Sequence, residues 1–196
     1  MRWFLFAVLL IVACATGAAA DSYEDAVSAY DRGDYTRAAQ LLRPFAEQGD
    51  ALAQYNLGVL YRKGRGVPQD DVQARQWYEK AAVQGQVKAQ YNLGTLYFNG
   101  EGVPKDYPQA LRWFRLAADQ GEAVAQTKIA IMYDDGQGVS QDIVQAYKWY
   151  SLAATNGDKP AAELRDALAK QMTPAQIAKA QKLAREWKPK TPSVSR

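Results

Sequence analysis

Several short stretches of the sequence carry residue types that could do chemistry. Gly64-Arg65-Gly66 has the start of a phosphate-cradling loop, in which glycine lets backbone N–H groups close on an anion. It lacks the third glycine of such loops, and the same turn returns as Gly100-Glu101-Gly102 and Gly136-Gln137-Gly138, so the reading preferred is a recurrent tight connection that needs backbone freedom. Asp134-Asp135-Gly136 followed by Asp142 offers carboxylates for a calcium loop, but the alternating oxygen ligands and the terminal glutamate are missing. Carboxylate pairs for glycoside hydrolysis depend on separations that a sequence does not give, and no acidic residue departs from the repeat scheme described below. Histidine is absent, which removes the usual general base, the common zinc ligand and the middle member of a serine triad. The only cysteine is Cys14. No catalytic residue, metal or cofactor is therefore expected.

The bulk numbers fit one compact domain or a short repeat array. The chain has 196 residues, 48% hydrophobic and 23% charged, with a net charge of +3. The two signs of charge interleave, which argues against a nucleic-acid tract or a polybasic membrane arm. At the N-terminus Arg2, the apolar run from Trp3 to Ala13 and Ala18-Ala19-Ala20 before Asp21 read as an export signal over residues 1–20, giving a periplasmic or secreted protein. The run is too short to span a bilayer. Ile11-Val12-Ala13-Cys14 also fits a lipoprotein leader, which would leave a lipid anchor on Cys14, and a buried apolar first helix is a third reading.

The elements that position these residues emerge from self-similarity. Ala53-Gln54-Tyr55-Asn56-Leu57-Gly58 and Ala89-Gln90-Tyr91-Asn92-Leu93-Gly94 are identical and 36 residues apart, and a weaker copy starts 36 residues later at Ala125-Gln126. The register holds through Tyr61, Tyr97 and Tyr133, through Asp70, Asp106 and Asp142, and through Trp77, Trp113 and Trp149. Within a copy, Ala53, Leu57, Leu60 and Tyr61 fall on one face of a helix. Asp70 stands at an N-cap after the glycine turn, and Ala74, Trp77, Tyr78, Ala81 and Ala82 form the apolar stripe of a second helix ending by Gly85. One such pair cannot bury its apolar face alone, whereas a stack of them can.

The pattern Ala-x-x-x-Leu-Gly-x-x-Tyr-x-x-Gly-x-Gly-Val-x-x-Asp, then Ala-x-x-Trp-Tyr-x-x-Ala-Ala-x-x-Gly, resembles the Sel-1-like repeat, a relative of the tetratricopeptide repeat. The resemblance covers about residues 50 to 160, with Thr127, Lys128 and Ala130 departing from it in the third copy. It implies an all-α fold, a right-handed α-solenoid of stacked antiparallel helix pairs. It implies a protein or peptide partner, since such proteins serve as adaptors in complex assembly, envelope signalling and polysaccharide export. Some cysteine-rich relatives act on cell-wall or β-lactam substrates, but they staple their repeats with disulfides that this chain cannot form.

Around the three repeats (53–88, 89–124 and 125–160) the sequence predicts dissimilar ends. Residues 21–52 read as a truncated helix pair with Pro44 expected to kink its second helix. Residues 161–187 read as capping helices, opened by a capping box at Thr173-Pro174-Ala175-Gln176, and 188–196 as a loose tail. On the first helix of each copy, the side away from the core stripe holds Tyr55, Val59 and Arg62, then Tyr91, Thr95 and Phe98, then Thr127, Ile131 and Asp134. That side is less polar than a solvent face, so it either anchors a partner or packs on the next repeat. The connecting loops run from basic (Arg62, Lys63, Arg65) through Asn99 and Glu101 to acidic (Asp134, Asp135), a polarity that would orient an elongated partner.

Overall fold

The computed structural model describes residues 23–189. The expected leader with Cys14 and most of the expected tail lie outside the described residues. Among the described residues the protein is all-α, without strands, and consists of repeated helix pairs of the solenoid class. The helices are α1 (23–31), α2 (Tyr35–Glu47), α3 (Ala51–Lys63), α4 (Asp71–Val83), α5 (Val87–Asn99), α6 (Tyr107–Asp119), α7 (Ala123–Asp135), α8 (Ile143–Thr155), α9 (Lys159–Ala169) and α10 (Pro174–Glu186). No described helix is long and apolar enough to cross a membrane. The chain forms two compact units, one up to Lys80 and one from Ala81 onward.

In the first unit, α3 begins where the Asp50 carboxylate accepts from the Ala53 N–H at 2.7 Å. It ends at Gly64, whose φ of +61° is left-handed and whose N–H caps the Leu60 and Tyr61 carbonyls. The loop then returns on itself, the Asp70 N–H donating to the Tyr61 carbonyl at 3.0 Å, while the Asp70 carboxylate accepts from Gln73 N–H to start α4. Ala53, Leu57, Leu60 and Trp77 bury their apolar area with Ala39, Leu42 and Ala46 of α2. Gly58 faces the Tyr78 ring so closely that an added Cβ would sit 2.7 Å from it, so the missing side chain is what lets the ring lie against α3. The helix α2 runs through Pro44 to Glu47.

The second unit repeats this scheme. Asp106 and Asp142 cap α6 and α8, and their N–H groups close the loops onto the Tyr97 and Tyr133 carbonyls, each at 2.9 Å. Gly94 meets the Phe114 ring as Gly58 meets Tyr78. Phe114, Ile129, Met132, Trp149 and Tyr150 fill a core that α9 and α10 complete, Trp187 lying edge-on to Trp149 with centroids 5.8 Å apart. The Thr173 side chain accepts from Gln176 N–H and the Gln176 side chain accepts from Thr173 N–H, the reciprocal capping box that starts α10.

Candidate functional site: the first-helix face

All nine residues of the first-helix face are half-buried, neither fully packed nor open. In the first unit the Tyr55 ring lies 6.1 Å from the Tyr78 ring, tilted by 33°, with Val59 and Arg62 following one and two turns along α3. In the second unit Tyr91 leans on Phe114 at 5.8 Å, and the Thr95 hydroxyl donates to the Tyr91 carbonyl at 3.0 Å. Phe98 stands against Tyr107 at 5.2 Å and Phe114 at 6.4 Å. The Lys128 ammonium reaches across from α7 to lie 5.6 Å from the Phe98 centroid, a cation over an aromatic face. Phe98 and Lys128 thus form one composite surface contributed by two helices.

The third copy uses its positions differently. The Thr127 hydroxyl donates to the Asp158 carboxylate at 2.6 Å, which ties α7 to the start of α9 and removes Thr127 from any simple binding role. Ile131 packs on the core. Asp134 hydrogen-bonds the buried Tyr150 hydroxyl. Burial first, and Asp135 second, push the Asp134 carboxyl above its ordinary range, although the bond from Tyr150 opposes this. Burial and the two aspartates likewise push the Tyr150 phenol up.

A folded carboxyl that holds its proton longer than the unfolded one favours folding below the unfolded pKa, and that contribution is lost as pH rises through the folded value. Asp134→Asn keeps an acceptor for Tyr150 without the charge. It is expected to raise the melting temperature over the wild type at pH 7, with the two curves converging below the ordinary aspartate value of about 3.9. Parallel curves across that range would show that the carboxylate carries no such penalty.

Three polar positions that the packing depends on were not legible in the sequence. Gln54, Gln90 and Gln126 are the buried polar side chains of the described residues, at 4%, 4% and 0% exposure. Each donates from Nε2 to a carbonyl near the end of the preceding helix: Gln54 to Ala46 at 3.0 Å, Gln90 to Ala82 at 3.1 Å and Gln126 to Ala118 at 3.3 Å. Their Oε1 atoms accept in turn from Gln120 at 2.9 Å, for Gln90, and from Asn156 at 3.0 Å, for Gln126. The signal was the recurring Ala-Gln and the amides at 84, 120 and 156, all in the 36-residue register.

The first Gly-x-Gly turn packs closely against the start of α2. An alanine Cβ at Gly66 would overlap the Tyr35 carbonyl and the Thr36 nitrogen. The basic loop in the first unit is partly engaged, Arg65 donating to the Tyr35 hydroxyl at 3.3 Å and lying 5.0 Å from its ring centroid. In the second unit Asn99 donates to Glu101 at 2.7 Å.

The model of the family described as Sel1 repeat matches residues 23–50, 51–86, 87–122 and 123–158, more than half of the chain. It thereby counts 23–50 as a repeat and sets the later boundaries two residues ahead of 53, 89 and 125, where α3, α5 and α7 begin. Among solved structures, the chain is similar to a protective antigen of uropathogenic Escherichia coli strains displaying an SLR fold, with 41% identity and a TM-score of 0.71 over 78% of this chain. It is also similar to a Sel1 repeat protein from Oxalobacter formigenes, with 38% identity and a TM-score of 0.67 over 72% of this chain. The match spans 34% of the first protein and 56% of the second. No curated protein matches the chain.

Proposed function

The chain belongs to the Sel1 repeat family, and from that premise we propose that it is an exported, non-catalytic scaffold that holds a protein or peptide partner in the cell envelope. Sel1-repeat proteins are protein-interaction scaffolds and generally do not catalyse. Export is inferred from the leader, with a mature N-terminus at Asp21. A lipidated Cys14 would tether the same scaffold to a membrane.

The observation that carries the reading is the Phe98–Lys128 surface. Phe98 is an aromatic side chain left half-exposed on a first helix, with a cation beside it. The pair does not recur, since the positions 36 residues before it hold Arg62 and Asn92 and those 36 residues after it hold Asp134 and Leu164. Tyr55 and Tyr91, by contrast, recur in register, so the repeat scheme accounts for them, although Phe98 leans on the second helix of its own pair as they do. A half-exposed aromatic side chain that stands outside the repeat scheme is suited to anchor a partner.

Cross-linking and pull-down from the native envelope test this. Phe98→Ala is expected to weaken capture of the partner by about 2 kcal/mol, roughly thirty-fold, while leaving the helix content unchanged. A folded Phe98→Ala, Lys128→Ala double variant that retains every partner would remove this face from consideration.

A further inference from the structure

We propose that the outward face of α10 is a docking surface for an anionic phospholipid bilayer, independently of the first-helix face. The modest net charge of the chain conceals a segregation. Residues 159–196 hold nine of the 24 basic residues but three of the 21 acidic ones, a net of +6 set against −3 for the rest of the sequence. Whole-chain interleaving thus does not extend to this end.

The fold places six of these cations outward. Lys159, Lys170, Lys179, Lys182, Arg185 and Lys188 are all exposed. On α10, Lys179, Lys182 and Arg185 fall within about 120° of the helix circumference, opposite the buried Ala180. Two of the three carboxylates in this segment do little to neutralise the group. Asp166 is taken by its neighbour Arg165 at 2.7 Å, and Glu186 meets Lys182 only at 3.8 Å with both side chains more than half exposed.

The same geometry favours a bilayer over an acidic peptide. Ile177, Ala180 and Trp187 turn the apolar side of α10 into the core, and Leu164 on α9 is the exposed large apolar residue recorded on either helix. The outward face of α10 therefore offers cations without an apolar anchor. A peptide interface depends on such anchors. A plane of headgroup phosphates needs only projecting cations, each contributing roughly five-fold to partitioning.

Co-sedimentation of the full-length protein with vesicles tests the assignment. Binding is expected to vesicles of phosphatidylglycerol mixed with phosphatidylcholine, to fall as salt is raised, and to be lost from phosphatidylcholine alone. Lys179→Glu, Lys182→Glu, Arg185→Glu together should lower it by about a hundred-fold or more. Binding driven by the apolar leader would instead persist on phosphatidylcholine and ignore the charge reversals. Should that triple variant fail to fold by circular dichroism, Lys179→Ala, Lys182→Ala, Arg185→Ala reads the same face of α10 by charge removal. The proposal is overturned if folded reversals leave vesicle binding unchanged, if both vesicle types bind equally, or if the patch captures an acidic protein while vesicles stay unbound.

Discussion

Gly66→Ala is expected to destabilise the unit up to Lys80 by about 3 kcal/mol, read by urea unfolding. Two costs combine. Gly66 holds a φ of +71°, where an L side chain costs roughly 1 kcal/mol. The added methyl group would also overlap the Tyr35 carbonyl and the Thr36 nitrogen, backbone atoms at the start of α2 that cannot rotate aside, and overpacking of this kind costs about 1–3 kcal/mol. Gly33 supplies the control, since its φ is +80° but nothing lies within 4 Å of the Cβ it would gain. Gly33→Ala should therefore cost only the backbone share. Equal losses for the two variants would mean that the contact with α2 gives way without strain.

The second large effect belongs to Gln126. Its side chain is wholly buried, donating to Ala118 and accepting from Asn156, so that one amide joins the ends of two second helices through the first helix between them. Gln126→Leu keeps the volume and removes both bonds, with an expected loss of about 2 kcal/mol. Gln126→Glu should be worse at pH 7, because a buried carboxylate would face the Ala118 carbonyl instead of donating to it. Its folded pKa would be raised, so the extra penalty should fade as pH drops below the ordinary glutamate value of about 4.3, where the protonated acid can donate again. Unfolding curves of the two variants at pH 7 and near pH 4 check this. If Glu and Leu track each other at both pH values, the amide is not acting as a buried donor.

These two sites show where the sequence was readable. The glycine at 66 was recognisable as a turn residue from its recurrence at 102 and 138, but its close approach to α2 depends on a contact between segments some thirty residues apart. Gln126 recurred visibly with Gln54 and Gln90, yet an amide is equally at home in water, and nothing local distinguishes a solvated glutamine from a buried clamp. The capping residues were legible for the opposite reason. Asp70, Asp106, Asp142 and Thr173 act on N–H groups within the next three residues, so spacing alone identifies them.

The first-helix face divides along the same line. Periodicity put Tyr55, Val59, Arg62 and their counterparts on one side of each helix, because 3.6 residues per turn is a property of the backbone. How each side chain is used there was decided by its neighbours. Thr127 turned to Asp158, Asp134 to Tyr150, and Phe98 was left beside Lys128. By itself, then, the sequence determined the 36-residue period, the pairing of helices and their caps, all consequences of local geometry repeated in register. The tertiary structure alone decided which amides are buried, which aromatic of the first-helix face meets a lysine and which face of α10 carries its cations outward, because each depends on what packs against the helix and not on the helix itself.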